Sequence, residues 1–276
     1  MDKRVLTIQD ISCFGQCSLT VALPIISACG FETSVVPSSV LSTHTTGFKN
    51  FTFRDLSEDL PKINKHWISE KIFFDAIYTG YLGSVKQIDY VIDFIDSVLK
   101  KDGLVIIDPA MADNGKLYPL FNNEYVKAMK KLIKIADYIL PNITEACFLT
   151  NTEYKEIYDE QYIILLADKL KALGAKNVIL TGVSFAEDEL GVYVFTKSNS
   201  SYYKHERIKK GSHGTGDVYA SCFVGALLND KNPYEAAKIA ADYVVKCIKL
   251  TQKDPNHAYG VKFEPLLKDL ILQIVK

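Results

Sequence analysis

The 276-residue chain predicts an α/β fold in which mostly parallel strands alternate with helices and an antiparallel pair closes an edge. Three observations carry this expectation. Short apolar runs are followed repeatedly by a polar or glycine-containing loop and then by residues spaced for one helix face, the order of strands joined by right-handed crossovers. Polar residues gather just past the carboxyl ends of those runs, where open α/β sheets place their ligands. Late in the chain, Gly191 to Phe195 and Tyr202 to Arg207 flank Lys197-Ser198-Asn199-Ser200 as a hairpin. The length and the 48% apolar composition suit a single domain over residues 1–276.

The first strand is Val5 to Gln9, giving way to a polar turn, Asp10 to Gly15. Leu19 to Cys29 is helical despite Pro24, with Gly30 as its stop, and valine-rich Thr33 to Leu41 is the next strand. The hydroxyl-rich segment Ser42 to Phe48 sits at that strand's end. Between Asn50 and Ser69, Leu56 and Leu60 give a helical face that Pro61 interrupts. Phe73 to Tyr78 is a strand leading into Thr79-Gly80-Tyr81. Val85, Ile88, Val91, Ile92, Ile95, Val98 and Leu99 then define a helix that Gly103 closes, before a strand over Leu104 to Ile107 ending at Asp108-Pro109. A loop from Ala110 to Pro119 precedes a helix carrying Val126, Met129, Leu132, Ile133 and Ala136. Tyr138 to Leu140 enters Pro141-Asn142-Ile143-Thr144-Glu145, a helix carries Ile163, Leu166, Ala167 and Leu170, and strand Val178 to Leu180 terminates at Thr181-Gly182. Asn232, Pro233 and Glu235 read as a capped helix start. The tail from Leu266 to Val275 reads as a last helix with one buried face.

Composition excludes several classes of function. A formal net charge of −1 and the lack of a basic stripe argue against a nucleic-acid partner. Lys130, Lys131 and Lys134 cluster, but on the solvated face of an amphipathic helix. The six cysteines are scattered, and Cys13 and Cys17 lack the neighbouring ligands of a zinc site. No signal-like leader precedes Val5 and no apolar run is long enough to span a bilayer, so a reducing, cytoplasmic setting is expected and no membrane partner.

The chemistry centres on Gly211-Ser212-His213-Gly214-Thr215-Gly216-Asp217, which runs into the apolar stretch Val218 to Leu228. A glycine-dense turn feeding a helix presents unpaired N–H groups at the positive end of a dipole, a place for a phosphate or carboxylate. Asp217 there is either a helix-capping residue or a carboxylate ready to take a proton from an alcohol attacking a phosphoryl group. Asp108 and Glu145 follow short strands and could hold Mg²⁺, which prefers oxygen ligands and phosphates, although either alone could cap a helix. Asn142 could bond phosphate or stabilise its own turn, and Thr181 with Gly182 could contact polyphosphate or end a strand. There is no Walker loop and no Gly-x-Gly-x-x-Gly after the first strand, so P-loop and nicotinamide chemistry are disfavoured.

Ile8-Gln9 with the Gly15 loop, His44 to Phe48, Thr79-Gly80-Tyr81, Asp108-Pro109 through Asp113 and Tyr118, Pro141-Asn142 with Glu145, and Gly214 to Asp217 occur in an order that resembles the ribokinase superfamily. Within it, the chain resembles the pyridoxal kinase branch. The resemblance implies a ribokinase-like three-layer α/β/α sandwich and ATP-dependent phosphorylation of the 5′-hydroxymethyl group of pyridoxal, pyridoxine or pyridoxamine, in salvage of pyridoxal 5′-phosphate. It also implies Mg²⁺ and a homodimer. Position by position, Asp217 becomes the general base and Gly214, Thr215 and Gly216 the anion hole. Asp108, Asp113, Asn142 and Glu145 organise magnesium and phosphate, with Asp108 and Glu145 nearest the metal. Thr181 and Gly182 touch the nucleotide, and Tyr118 belongs to a covering loop. Asp10, Ser12, Thr46 and Tyr81 face the vitamin ring. Two positions depart from the family pattern: Asp10 replaces a serine, and Leu140 stands where a nucleotide-site threonine is common. Hydroxymethylpyrimidine kinase of thiamine biosynthesis is the nearest alternative, and a non-catalytic nucleotide-binding protein is a third.

Overall fold

Alternating apolar residues on the central strands bury both faces of one sheet, in a computed structural model that describes residues 3–45, 47–208 and 213–275. In chain order the elements are β1 (Arg4–Ser12), α1 (Leu19–Ala28), β2 (Glu32–Leu41), β3 (Phe53–Asp55), α2 (Leu60–Ser69), β4 (Phe74–Thr79), α3 (Val85–Val98) and β5 (Leu99–Ile107). A small hairpin of β6 (Ala112–Asp113) and β7 (Lys116–Leu117) follows, then α4 (Asn123–Ile133), β8 (Tyr138–Ile139), α5 (Ile143–Thr150) and α6 (Glu160–Ala172). The chain ends through β9 (Asn177–Val183), β10 (Glu189–Phe195), β11 (Ser200–Glu206), α7 (Thr215–Leu228), α8 (Pro233–Thr251) and α9 (Leu267–Ile274).

The nine-stranded sheet runs β11-β10-β9-β8-β5-β4-β1-β2-β3. Every pair from β2 to β9 in that order is parallel, while β10 and β11 are antiparallel at one edge and β3 at the other. The three layers follow from the period of two along each strand. Leu6, Ile8, Ile77, Val105 and Leu180 point into one core with α3, α4 and α6, whereas Val5, Ala76, Ile106 and Ile179 point into the other with α1, α7 and α8. This is the predicted mostly parallel α/β/α sandwich with its antiparallel hairpin.

Several boundaries differ from the sequence reading, each for a physical reason. β1 continues through Asp10 to Ser12, because Ile11 and Ser12 still pair with Val40 and Leu41 across a register shift. Asp10 and Ser12 are therefore strand residues at a distorted strand end, a common setting beside active sites. Pro61 does not interrupt a helix. It lies in the first turn of α2, where its missing N–H is not needed. Gly103 does not close α3, which ends at Val98; Leu99 to Gly103 already belong to β5. β9 runs on past Thr181-Gly182 to Val183. The second antiparallel edge, β3, has only three residues, all exposed, too few for period-two patterning to register. In α9 only Leu270 and Ile274 are buried, so the expected stripe is narrower. The solvated lysine face of α4, the Pro24-containing α1, and the Asn232–Glu235 capping box agree with expectation.

The packing of α1 on α7 fixes the helix that carries Asp217. Gly225 faces the end of α1 so closely that a Cβ there would overlap Cys29 Sγ and stand 2.9 Å from Cys29 Cβ. Alanine would favour the helix by about 1 kcal/mol, but overpacking a rigid contact costs about 1–3 kcal/mol. Gly225→Ala is expected to lower the urea midpoint with an unchanged m-value; a midpoint at or above wild type would show that the two helices can part without penalty.

Candidate active site

Because β1, β4, β5, β8 and β9 are parallel, their following residues meet at one edge of the sheet. Asp10 and Ser12, Tyr81, Asp108, Asn142 with Glu145, and Thr181 with Gly182 all come from that edge. The first turn of α7 joins them. Gly214 is the N-cap in left-handed conformation (φ 75°), and a Cβ there would overlap the Gln16 carbonyl oxygen. Backbone dihedral and close approach thus both require glycine, and they fix the start of α7 against the segment after β1. Around Gly216 nothing would meet a Cβ within 4 Å, so the space beside it is open at the positive end of α7, which is buried from Val218 onward.

Asp217 sits in that first turn, half-buried. Burial raises its carboxyl to about 6, the charge of Asp10 adds to the rise, and a backbone hydrogen bond from Ser18 opposes it. At neutral pH the group is ionised yet basic enough to accept a proton. Asp108 is raised well above the usual carboxylate range by burial, then by Glu145 and Asp217. Its Oδ1 accepts from Ala110 N–H at 3.1 Å. Glu145 is also raised by burial, but backbone N–H groups hold it towards the ionised form. Met111 donates to Oε1 at 2.9 Å and Asn142 to Oε2 at 2.8 Å. Both carboxyls are thus raised by burial, and the backbone N–H groups on Glu145 oppose the rise there.

Asn142 and Glu145 form a full capping box at the start of α5. Asn142 spends both ends of its amide on structure, accepting from Glu145 N–H and donating to the Ala112 carbonyl at 2.8 Å. Its turn-stabilising role is thus realised, and the same bonds anchor the β6–β7 hairpin. Tyr118, just beyond that hairpin, is partly exposed with its ring 6.3 Å from Phe121, and its phenol is pushed up by partial burial and by the charges of Glu145, Asp108, Asp113 and Asp217. Asp113 is exposed and accepts from Asn114 through both oxygens.

On the other flank, Asp10 is buried and its carboxyl is raised by desolvation, while hydrogen bonds involving Ser18 and Ser12 oppose the rise. Ser12 is fully buried and its hydroxyl also receives Cys17 S–H at 3.3 Å. Tyr81 packs against Phe121 at 5.3 Å, and burial with the nearby Asp10 raises its phenol to about 12. Phe121 in turn stacks on Tyr125 at 3.8 Å, giving an aromatic wall. Thr46 lies outside the described residues.

Asp113, Asn142, Thr181 and Gly182 line a cavity of about 570 Å³, together with Tyr154, Tyr158, Phe185 and Arg207. Thr181 Oγ1 bonds the Pro141 carbonyl at 3.3 Å, and Gly182 is left-handed (φ 73°) with open space where a Cβ would be. Leu140 is buried, in accord with its apolar character. The geometry thus places the predicted residues in four groups: a carboxyl in the first turn of α7, the acids Asp108 and Glu145, an aromatic flank at Tyr81 and a polar cavity bordered by Thr181 and Gly182.

Sequence reasoning left three neighbours without a role. Gln9 lies across Gly80, whose Cβ would stand 2.5 Å from Gln9 Oε1, and bonds Thr7 at 2.9 Å. His44 is buried against Gly15 and Phe48, its imidazole kept neutral by burial and by His213. Arg207 lines the cavity from the end of the hairpin; its scarcity, one of three arginines, was the only signal.

Among the described residues no group of three or more His, Cys, Asp or Glu side chains could hold a metal. The Asp108–Glu145 pair nonetheless fits a hard cation of the Mg²⁺ kind, which takes one or two carboxylates and completes its shell with phosphate oxygens and water. The mutual repulsion recorded on Asp108 is the charge such an ion would neutralise.

Comparison with known proteins agrees with this geometry. A Bacteroides thetaiotaomicron protein described as a phosphomethylpyrimidine kinase, crystallised with pyridoxal, is 34% identical with a TM-score of 0.92, covering 98% of this chain and 96% of that one. Pyridoxal kinase from Lactobacillus plantarum is 30% identical with a TM-score of 0.90, covering 98% and 97%. Hydroxymethylpyrimidine/phosphomethylpyrimidine kinase of Aquifex aeolicus is 29% identical over 199 residues, 71% of this chain and 75% of the relative. The family model for phosphomethylpyrimidine kinase matches residues 23–262. With its ribokinase-like sheet and the acidic edge described above, the chain belongs to the phosphomethylpyrimidine kinase family and is a kinase of that family.

Proposed function

We propose that this kinase phosphorylates vitamin B6, transferring the γ-phosphoryl group of ATP to the 5′-hydroxymethyl group of pyridoxal, pyridoxine or pyridoxamine in pyridoxal 5′-phosphate salvage. The observation that carries the reading is Asp217: a carboxyl raised to about 6 in the first turn of α7, beside open space at Gly216. An alcohol bound there would lose its proton to Asp217 as its oxygen attacks the γ-phosphorus and ADP departs, while N–H groups of Gly214 to Gly216 stabilise the charge on the transferring group. Asp10, Ser12, Thr46 and Tyr81 would receive the ring, with Tyr81 and its aromatic wall supplying an apolar face. Thr181, Gly182, Asn142 and Asp113 would border the nucleotide, and Tyr118 would cover the reacting groups. Asp108 and Glu145 would hold Mg²⁺ directly or through water. When bound, that ion would neutralise phosphate charge. The homodimer and the cytoplasmic setting belong to the same proposal; among the described residues no helix is long and apolar enough to cross a membrane.

Support for a B6 vitamer over a pyrimidine comes from the pyridoxal held by the Bacteroides relative and from Tyr81 and Tyr118. The second reading, hydroxymethylpyrimidine kinase, is favoured by the family model and by the Aquifex relative. A parallel ATP-consumption screen over the three B6 vitamers and hydroxymethylpyrimidine separates them, with the phosphorylated position identified in each product. Product from the pyrimidine alone would replace the B6 assignment; ATP binding without turnover on any alcohol would leave a non-catalytic binding protein.

Asp217→Asn is expected to lower kcat by about 10²–10⁴-fold with much less change in ATP affinity, and unchanged turnover would remove Asp217 from the role of base. The same residue sets the acid limb of the pH profile: kcat should fall below about 6, the value to which burial raises the group. The sign for stability is opposite. A carboxyl raised in the folded state binds its proton more readily than in the unfolded chain, so its contribution to stability declines as pH rises from the unfolded pKa to about 6. Asp217→Asn should therefore melt no lower than wild type at pH 7, which distinguishes lost chemistry from lost folding.

Glu145→Gln should raise the Mg²⁺ concentration needed for half-maximal rate at saturating ATP. A magnesium titration superimposing on wild type would confine Glu145 to capping α5.

A further inference from the structure

The cavity that borders Thr181 and Gly182 contains a cation for which the reading above has no use. Its described lining includes the acids Asp113, Glu156 and Glu187 but a single basic residue, Arg207. Arg207 follows directly on β11, and its place is fixed by the backbone: its N–H donates to the Asp188 carbonyl at 3.0 Å, and its Nε donates to the Glu189 carbonyl at 3.4 Å. Among the described residues no carboxylate lies within ion-pairing distance of its guanidinium. Two phenols of the neighbourhood are tied to backbone: Tyr158 accepts from Ser184 N–H at 3.0 Å, and Tyr202 donates to the Val183 carbonyl at 3.2 Å. Both phenols are raised chiefly by burial, and the charge of Arg207 opposes the rise in each, which puts the guanidinium beside them.

Topology brings this cation to the same cavity as the turn at Thr181 and Gly182. β9, β10 and β11 are consecutive neighbours in the sheet, with Val183 paired to Gly191 and Glu189 to Glu206. Arg207 therefore starts two strand spacings across and about three residues along from Gly182, roughly 14 Å between backbones, and its long side chain borders the same cavity. A guanidinium without a carboxylate partner, anchored through Nε and with its terminal N–H groups left over, matches a phosphate group better than a lone ammonium does. An acid-rich cavity without this cation would repel a polyanion.

We propose that Arg207 is the nucleotide-phosphate contact of this chain, gripping the polyphosphate of ATP from the β11 side of the cavity while Thr181 and Gly182 face it from β9. It is a binding and positioning residue. The inference rests on the kinase reading, because it takes the cavity to be the nucleotide site.

Calorimetric titration of ADP and of adenosine into wild type, Arg207→Ala and Arg207→Lys tests it. Arg207→Ala should weaken ADP by about tenfold or more and adenosine by less than about twofold, with Arg207→Lys intermediate for ADP. In steady state, KM for ATP should rise in parallel while kcat and KM for pyridoxal stay within about twofold. Equal losses for ADP and adenosine would assign Arg207 to the cavity's shape rather than to phosphate, and unchanged ADP binding would remove it from the site; either overturns the proposal. Arg207→Lys keeps the charge but not the forked donors, so the ADP-against-adenosine comparison can be read on it if the alanine variant fails to fold. Wild-type protein that binds no ADP would sink the kinase reading and this inference together, whereas tight wild-type binding with an indifferent Arg207→Ala sinks the arginine alone.

Discussion

The burial of Asp217 at the start of α7 is the constraint on which the rest of the site depends. A carboxylate withdrawn from water is unfavourable in its charged form, and its surroundings must offset that without pairing it to a cation, which would make it a poor base. A backbone hydrogen bond from Ser18 and the dipole of α7, buried from Val218 onward, do this partially, leaving the group at about 6. Its position is set by backbone contacts. Gly214 lies on the Gln16 carbonyl, Gln16 N–H donates to the Tyr259 carbonyl at 2.9 Å, and Gly260 packs on the same residue. The segment after β1, the glycine turn and the chain near its carboxyl end are thereby locked around one residue whose side chain plays no chemical part.

The acidic pair opposite Asp217 is built by a different device. Glu145 is placed by a capping box and by the N–H of Met111, so the start of α5 and the loop after β5 share one carboxylate. Asn142 extends the same bonding to Ala112. Side chains that sequence patterns suggest for phosphate or metal are thus also the ones that fix the loop carrying Asp113 and Tyr118. The capping role and the ligand role are compatible, since each carboxylate oxygen retains a lone pair after accepting one N–H. Backbone N–H groups on both oxygens also favour the ionised form of Glu145 against the rise that burial imposes.

Much of the fold was legible because the central strands announce themselves by apolar runs and the helices by their stripes. The elements that escaped are those whose residues obey a weaker signal. Leu99 satisfies the periodicity of α3 and also opens β5, so the boundary fell at Gly103 instead of Val98. Pro61 reads as a breaker when no helix start is evident before it, whereas Asp59 and Leu60 place it in a first turn. Asp10 and Ser12 look like turn residues by composition, yet pairing with β2 carries the strand through them. Of the site, the glycine turn and the strand-end acids were readable from local chemistry. Arg207 and His44 were not, because their neighbours in space come from β9 and β10 in one case and from the Gly15 and His213 loops in the other.

The distribution of buried polarity separates this edge from an ordinary core. Of the buried side-chain atoms without a protein partner among the described residues, Gln16 Oε1, Ser39 Oγ, Thr43 Oγ1, His44 Nε2 and Thr79 Oγ1 lie at this edge, while Tyr219 OH and His257 Nε2 lie in α7 and in the chain after α8. The edge group belongs to the carboxyl halves of β2 and β4 and to the loops after β1 and β2. Each such group opposes folding by about 1–3 kcal/mol, so concentrating them on one side of the sheet draws on stability supplied elsewhere. The two apolar layers supply it: the amino-terminal halves of β1 and β4 bury Val5, Leu6, Phe74 and Ala76 completely. One strand thereby contributes packing at one end and unsatisfied hydrogen-bonding capacity at the other, and the parallel sheet sums those ends into a single polar edge around Asp217.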